Sequence, residues 1–241
     1  QQFLQRLVQL AETMVPPTLT KIWDARDVAK TLLRSGMRNR SSGAVLDVQD
    51  SQTTLDDLPI TTSWSGDGGP FITLPLIYTE HPKDGRHNLG IYRLQKHDPD
   101  HLGLHFQIHK GSGYHLMEAE RTGQEFPVTC FLGGPPALIA SAVAPLPENV
   151  GELMLASLLQ GSPLKMTRTE NVAHPLIAEC DFAIHGTALA GQRWPEGPFG
   201  EFPQYYGERA KRHVMRVDAV THRRDPIFHM IVGGGLEHLL L

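Results

Sequence analysis

The sequence predicts an α+β domain in which helices lie on the outside of a barrel-like sheet. Strand-like runs dominate after Phe71, and short helical patterns separate them, as is typical of this class. The chain has 241 residues and is 40% hydrophobic, so it can bury a substantial core. Its net charge of −4 gives no basic field that would attract nucleic acid or an anionic membrane.

Residues 1–70 predict a helical segment followed by a connector. Apolar residues recur at helical spacing over 3–14, and residues 24–33 predict a second helix. Residues 40–70 are polar and carry glycine clusters, which is typical of an irregular connection.

Residues 71–232 predict the sheet and the helices around it. Expected strands cover 72–78, 88–94, 102–109, 126–132, 164–169, 178–184, 214–222 and 227–231. Expected helices cover 114–122, 134–144 and 152–159. Residues 233–241 predict the start of a truncated linker. Because the sequence has no initiating Met and ends in three leucines, we expect it to be part of a longer protein.

Cysteine usage indicates the compartment. Cys130 and Cys180 lie far apart in apolar surroundings and lack the spacing of a metal or redox motif. This pattern favours buried thiols in a reducing environment over a disulfide framework. No apolar run reaches the roughly 18 residues that a membrane span needs. We therefore expect a cytoplasmic protein with no membrane span and no nucleic-acid partner.

Two carboxylates, Glu196 and Glu201, flank a short Gly-Pro-Phe-Gly turn. If the turn holds them close together, one carboxylate can raise the pKa of the other and keep a proton available near neutral pH. Such a proton suits general acid catalysis. From the local sequence alone, the alternative is a pair of solvated turn residues.

A candidate anion site follows in the segment from His105 to Gly111. On a strand, His105, Gln107 and His109 project from one face, because side chains alternate. Lys110 and the glycines that begin at Gly111 then form a turn with free backbone N–H groups, which suits a phosphate. The alternative is a structural hairpin with an ordinary lysine.

Oxygen and nitrogen donors suggest a metal site. Asn88 offers an amide oxygen and His109 an imidazole, and a carboxylate would complete a site for a divalent ion of the Mn²⁺ type. Glu152 opens a predicted helix; it is the candidate carboxylate, or else it only complements the helix dipole. On a regular strand Asn88 and Arg93 face opposite sides, so a bulge at Gly90 would be needed to bring them together.

Five motifs stand in a fixed order along the chain. They are RHNLGIYR at 86–93, HFQIHK at 105–110, AVAPLPENVGE at 142–152, PEGPFGE at 195–201, and YYG at 205–207 with THRRDPI at 221–227. Together they resemble the UbiD family of decarboxylases, which use prenylated FMN. The resemblance implies that residues 71–232 form a prenylated-FMN-binding split β-barrel of the flavin-reductase-like kind, with surrounding helices.

The resemblance also implies functional residues. The family's metal ligands fall on Asn88, His109 and Glu152, which would hold Mn²⁺ with K⁺ nearby. Its flavin contacts fall on Ile91, Tyr92, Arg93, His105, Phe106, Gln107, Lys110 and Gly111. Its catalytic set falls on Arg93, Glu196 and Glu201. A UbiX-like flavin prenyltransferase would supply the cofactor, and the full-length protein would be a homo-oligomer.

The implied reaction is the reversible, non-oxidative decarboxylation of an aromatic or α,β-unsaturated carboxylic acid. Arg93 would orient the substrate carboxylate, since a guanidinium pairs with it in a bidentate fork. Glu201 would donate the proton, and Glu196 would hold Arg93 and tune Glu201. The sequence departs from the family at His185, where a second Glu is usual, and in lacking the family's C-terminal domain.

Two other functions stay open. The first is a non-catalytic flavin-binding or assembly subunit that keeps the fold. The second is an ordinary flavin reductase on a related barrel, which would have no use for the metal-ligand set of Asn88, His109 and Glu152.

Overall fold

The computed structural model describes residues 35–49, 52–107, 110–146, 150–170 and 172–235. Within these ranges the strands are β1 Met37–Asn39, β2 Phe71–Ile72, β3 Leu76–Glu80, β4 His87–Ile91, β5 Leu94–Asp98, β6 His101–Leu104, β7 Phe126–Leu132, β8 Leu164–Thr167, β9 Leu176–Ile177, β10 Phe182–Glu196, β11 Phe199–Gly200, β12 Tyr206–Gly207 and β13 Ala210–His222. The helices are α1 Gly111–Thr122, α2 Pro136–Val143 and α3 Glu152–Gln160, with short 3-10 helices at Ala44–Leu46 and Leu55–Asp57.

One antiparallel sheet of eight strands dominates the fold. Its order is β2-β5-β6-β13-β10-β7-β3-β4, and it curls into a half-barrel. A small sheet, β1-β8-β9, lies beside it, and β11 pairs with β12 as a separate hairpin. The long strand β10 lies at the centre, since it pairs with β7 on one side and β13 on the other.

The sheet buries both of its faces because side chains alternate along each strand. On β3, Ile77 belongs to an inner apolar cluster, whereas Leu76 and Tyr78 belong to an outer one. On β7, Cys130 faces inward and Phe131 outward in the same way. Two-sided burial explains why these strands are almost continuously apolar.

Helices cover the two faces. Leu116 and Ala119 of α1 pack into the inner cluster. Leu138 of α2 and Leu153 of α3 pack into the outer cluster, together with Leu164 of β8. The helices therefore lie around the curled sheet, as the sequence predicts.

Helix ends agree with their sequence signals. Both α1 and α3 end at a glycine in the left-handed conformation, Gly123 with φ +68° and Gly161 with φ +72°. Helix α2 begins with a proline in its first turn, Pro136, where a missing N–H costs nothing. The predicted helix over 114–122 begins earlier than expected, at Gly111.

Several predicted strands differ from the observed ones. The expected strand over 72–78 is interrupted at Pro75 and forms β2 and β3. The expected strand over 102–109 ends at Leu104, so the prediction that His105 and Gln107 share a strand face is wrong. Residues 227–231 form no strand.

Some predictions concern residues beyond the described ranges. The two helices expected over 1–34 lie outside the described residues, as does His109. The division into residues 1–70, 71–232 and 233–241 stays a prediction. No helix in the described part of the chain is long and apolar enough to cross a bilayer.

Candidate active site

Arg93 is the centre of a buried charged cluster. Its Nε and Nη2 atoms donate hydrogen bonds to Oε1 of Glu196, at 3.1 and 3.0 Å. Its Nη1 atom donates to Oε1 of Glu201. The imidazole of His105 lies against the same Glu196 oxygen, with its Nδ1 atom at 2.7 Å. The structure thus brings together Arg93, Glu196 and Glu201, the three residues that the sequence predicts as a catalytic set.

The Glu196 side chain is 1% exposed. Its burial raises the pKa, but the His105 hydrogen bond, the charges of His105 and Arg93 and the Arg93 hydrogen bonds outweigh it, so the pKa lies below its ordinary value. The expected rise in pKa for two neighbouring carboxyl groups is therefore wrong for Glu196, because both neighbouring donors favour its charged form. Its second oxygen, Oε2, is buried without a hydrogen-bond partner in the described part of the chain.

The backbone around Glu196 is fixed by a loop that the sequence does not single out. Glu196 ends β10, and the next N–H, of Gly197, donates to Oε1 of Gln95 at 2.8 Å. The other end of the Gln95 amide donates to the carbonyl oxygen of Gly68 at 2.9 Å. Gly68 in turn donates its N–H to the carbonyl oxygen of Pro198 at 2.7 Å. Gln95 therefore ties the segment after Glu196 to the loop at Gly68.

Glu201 lies on a more open loop. It follows β11, and its N–H donates to the carbonyl oxygen of Tyr205 at 2.8 Å. The Glu201 side chain is 30% exposed, compared with 1% for Glu196. A cavity of about 220 Å³ adjoins it, and the aromatic side chains in its lining are Trp64, Tyr205 and Tyr206.

The Arg93 guanidinium also rests on an aromatic ring. Its Cζ atom lies 4.5 Å from the ring centroid of Phe199, and Phe199 packs on Phe71 at a centroid distance of 4.7 Å. This cation–π contact holds the guanidinium plane while its nitrogens face the two carboxylates. The site has one cation that is always charged and two carboxylates that compete for it.

A second cleft, of about 700 Å³, collects the predicted phosphate and metal residues. Asn88, Lys110, Gly111 and Glu152 all line it. His81, His87 and His115 are the histidines in the same lining. The sequence reaches these positions from four separate segments, and β4, α1 and α3 bring them together.

The anion site is a helix start, so the prediction of a hairpin turn after Lys110 is wrong. Lys110 is the N-cap of α1, and Gly111 is its first helical residue. The first N–H groups of a helix have no partners within it, and together with the helix dipole they favour an anion. The exposed Lys110 adds a positive charge at the same place.

Two of the three predicted metal ligands face this cleft. The Asn88 Nδ2 atom donates to Oγ of Ser112 at 3.0 Å, which fixes the amide so that Oδ1 is the oxygen left to a ligand. Oε2 of Glu152 accepts from the backbone N–H of Leu89 at 3.2 Å. The third predicted ligand, His109, lies outside the described residues. Elsewhere in the described ranges no three His, Cys, Asp or Glu side chains converge as a metal site.

The chain around Gly111 fits a bound group. A Cβ atom at Gly111 would lie 2.6 Å from Cγ of Asn88, so the position needs glycine for close packing. The Nε2 atom of His87, on the cleft wall, is buried without a hydrogen-bond partner among the described residues. An unpaired buried donor or acceptor is costly unless a ligand or water satisfies it.

The other predicted flavin contacts lie between the two clusters. Tyr92 and Phe106 are buried in the inner core and pack edge to face at 5.1 Å, so their rings are structural. Ile91 is half-buried and Gln107 is exposed. The β3–β4 pairing runs in register through Gly90, so the predicted bulge is absent, and β4 instead ends at Ile91, before Arg93.

His185 belongs to a separate group of buried polar side chains. It lies within β10, with Nδ1 at 3.4 Å from Oγ1 of Thr129 and Nε2 at 3.5 Å from Oγ1 of Thr221. Burial lowers its pKa to about 4, so it is neutral at pH 7. Its hydrogen bonds are those of a structural core histidine.

Known proteins resemble this chain over most of its length. The family model of UbiD, described as the 3-octaprenyl-4-hydroxybenzoate carboxy-lyase Rift-related domain, matches residues 37–236. A protein of Chlamydia pneumoniae that is named as a subunit of 4-hydroxybenzoate decarboxylase is 44% identical over 218 residues, which cover 90% of this chain and 37% of that protein. The chain thus spans less than two fifths of the length of the curated relatives it matches.

Solved structures show the same fold. An evolved dimeric form of the UbiD-class enzyme HmfF from Pelotomaculum thermopropionicum, in complex with prFMN, aligns with a TM-score of 0.81 and 36% identity over 88% of this chain and 51% of that one. The apo 3,4-dihydroxybenzoic acid decarboxylase (AroY) of Klebsiella pneumoniae aligns with a TM-score of 0.76 and 28% identity, over 88% and 47%. These alignments confirm the predicted α+β split-barrel fold.

Proposed function

The chain belongs to the UbiD family, and we propose that it is the cofactor-binding part of a carboxy-lyase that uses prenylated FMN and Mn²⁺. The proposed reaction is the reversible, non-oxidative decarboxylation of an aromatic or α,β-unsaturated carboxylic acid. The observation that carries the proposal is the cluster in which Arg93 contacts both Glu196 and Glu201. A structural neighbour, the UbiD-class enzyme HmfF, contains prFMN, which supports the choice of cofactor.

The residues of the second cleft suit the phosphate end of such a cofactor. Lys110 and the N-terminus of α1 would hold a phosphate, since both favour an anion. Asn88 and Glu152 would supply oxygen ligands to Mn²⁺ beside it, as hard cations prefer, and His109 is the proposed third ligand. K⁺ remains a proposed second ion. A UbiX-like flavin prenyltransferase is the proposed source of the cofactor.

The charged cluster suits the reacting end. The prenylated flavin supplies an electron sink for the carbon that loses CO₂. Arg93 would take the substrate carboxylate in a two-pronged hydrogen bond, which orients it before reaction. Phe199 limits how far the guanidinium can tilt. The protein's part is thus to orient the acid and to deliver a proton.

Glu201 is the proposed proton donor. Glu196 has a lowered pKa and three hydrogen-bond donors on one oxygen, so it stays ionised and cannot supply a proton near neutral pH. Glu201 accepts one Arg93 hydrogen bond and is partly exposed, so solvent can return its proton after each turnover. The roles of the two carboxylates therefore follow from their different burial.

The test uses the full-length protein reconstituted with prenylated FMN and Mn²⁺. We expect CO₂ release from an aryl or acrylic acid, and a loss of about 10²- to 10⁴-fold in Glu201→Gln, because a general acid contributes that much. The matched control is Glu125→Gln, at an exposed carboxylate just beyond α1, which should leave turnover unchanged. Near-normal turnover of Glu201→Gln would contradict the proton-donor role.

One other function has an observation in its favour. The chain spans 37% of a relative that is named as part of a multi-chain decarboxylase, which fits a flavin-binding or assembly subunit without activity of its own. The intact contacts of Arg93 with Glu196 and Glu201 favour catalysis instead. An absorbance spectrum and a metal analysis of the purified full-length protein test the cofactors: unmodified flavin without manganese would refute the first choice.

Localisation and assembly are proposals of the same rank. We propose a cytoplasmic homo-oligomer whose partners are the small carboxylic acid and the cofactor-supplying enzyme. Size-exclusion chromatography with light scattering on the full-length protein would test the oligomer. A monomer at micromolar concentration would contradict it.

A further inference from the structure

Arg93 has no spare hydrogen-bonding edge in this structure. Its Nε and Nη2 atoms serve Glu196, and its Nη1 atom serves Glu201. A guanidinium that orients a substrate carboxylate in a fork needs two parallel N–H groups for it. Arg93 must therefore give up part of its present contacts when the substrate binds.

Releasing Glu196 has consequences for the buried carboxylate. Its side chain is 1% exposed, and Oε2 has no hydrogen-bond partner within the described ranges. An ionised carboxylate in such a place is strongly destabilised unless a donor stays with it. Charge adds to the difficulty, because Arg93 already faces two carboxylates and the substrate brings a third.

His105 is the other side chain that donates to Glu196 among the described residues. Its Nδ1 atom lies 2.7 Å from Oε1, and its side chain is 16% exposed. A carboxylate can only accept, so Nδ1 carries the hydrogen. The backbone places the ring, since the His105 N–H donates to the carbonyl oxygen of Arg93 at 3.3 Å.

We propose that His105 is a positioning residue that keeps Glu196 hydrogen-bonded when Arg93 turns to the substrate carboxylate. This inference rests on the proposed function, because it assumes that a carboxylic acid binds at Arg93. In the resting site Oε1 of Glu196 is shared by Arg93 and His105; with substrate bound, His105 holds it alone. His105 therefore lowers the cost of substrate binding without touching the reacting atoms.

Two substitutions separate the hydrogen bond from the rest of the ring. In His105→Asn the side-chain Nδ2 atom can take the place of Nδ1 and still donate to Glu196. In His105→Leu a side chain of similar reach has no donor. In the full-length enzyme loaded with prenylated FMN and Mn²⁺, we expect KM to rise about 10- to 100-fold in His105→Leu, the value of a hydrogen bond to a charged group. His105→Asn should stay within about threefold of wild type.

A second measurement does not depend on turnover. The His105 hydrogen bond contributes to the low pKa of Glu196, and a lowered carboxylate pKa stabilises the fold above its unfolded pKa and loses that effect on acidification. Removing the donor shrinks this contribution. We therefore expect acid unfolding of His105→Leu at a higher pH than wild type, with His105→Asn restoring most of the shift.

Different outcomes would overturn different parts of the proposal. An unchanged KM in His105→Leu, or equal losses in both variants, would overturn the positioning role. An unshifted acid midpoint in His105→Leu would overturn the His105–Glu196 contact itself. A wild-type enzyme that releases no CO₂ from any acid would instead refute the proposed function, and this role with it, whatever the acid midpoints show.

Discussion

Replacing Gly68 with alanine should move the loop that fixes Glu196. A Cβ atom at Gly68 would overlap the carbonyl oxygen of Gly197 and lie 3.0 Å from the nitrogen of Pro198. Ordinary van der Waals contact begins near 3.4 Å, so relief of the overlap needs a separation of about 1 Å between two backbone segments. Backbone on both sides leaves no flexible side chain to absorb it.

The expected magnitudes follow from the bonds at stake. Separation weakens the hydrogen bond from Gly68 to Pro198 and the one from Gln95 to Gly68, which are 2.7 and 2.9 Å long. At about 0.5 to 1.5 kcal/mol each, their loss should lower the free energy of unfolding by about 1 to 3 kcal/mol. Since Glu196 would shift against Arg93 by about 1 Å, kcat/KM should fall about 100-fold.

The assay pairs decarboxylation kinetics with chemical unfolding of the full-length protein. The matched control is Gly123→Ala, because Gly123 also has a special role, with φ +68°, but no atom lies within 4 Å of its Cβ position. That control should lose about 1 kcal/mol of stability through backbone strain and keep its kcat/KM. If Gly68→Ala keeps kcat/KM within threefold of wild type, Gly68 does not position Glu196.

Three further predictions concern the core and the second cleft. Phe131→Ala should lower the free energy of unfolding by about 3 to 5 kcal/mol in urea titrations, because Phe131 is fully buried in the outer cluster. His185, whose pKa is lowered to about 4, resists protonation in the fold but not when unfolded, so stability should fall as the pH drops from about 6.5 to 4. His185→Gln should reduce that loss by about 2 to 3 kcal/mol in unfolding experiments at both pH values; an equal loss in both proteins would contradict this. Gly111→Ala should lower manganese and flavin occupancy, measured by metal analysis and absorbance, because its Cβ would lie 2.6 Å from Asn88 Cγ; full occupancy would refute the cleft as their site.

The charged cluster could be predicted only in part from sequence. The short spacing of Glu196 and Glu201 indicates a pair, but their partner Arg93 is more than a hundred positions away. Family order supplied that partner, and the structure brings the three together. The hydrogen bond of His105 to Glu196 carries no local signal, because it depends on how separate strands end.

The strand errors have physical reasons. The alternation over 104–109 suits a strand, yet a strand needs neighbours. At Leu104 the pairing of β6 reaches its last partners, Leu94 of β5 and His213 of β13. Beyond that point the segment stays extended but unpaired, and it turns His105 toward Glu196.

The length of β10 was equally hidden. Its second half contains glycine and Pro195, which argue against a central strand. The observed pairing removes the conflict, because β7 pairs only with Phe182 to Ala188, and the segment at Pro195 pairs with β13 alone. A proline is tolerated where one side has no ladder to feed. Likewise Gln95 shows its bridging role only once Gly68 and Gly197 lie beside it.

The chain joins the two polar clusters by a very short path. Asn88 lies in the cleft at the start of α1, and Arg93 lies in the charged cluster, with the end of β4 between them. Five residues reach at most about 18 Å when fully extended. A ligand that places an anion at Lys110 and its reactive ring at Arg93 must be of about that length. The strand therefore acts as a ruler, and it selects ligands by their span as well as by their charge.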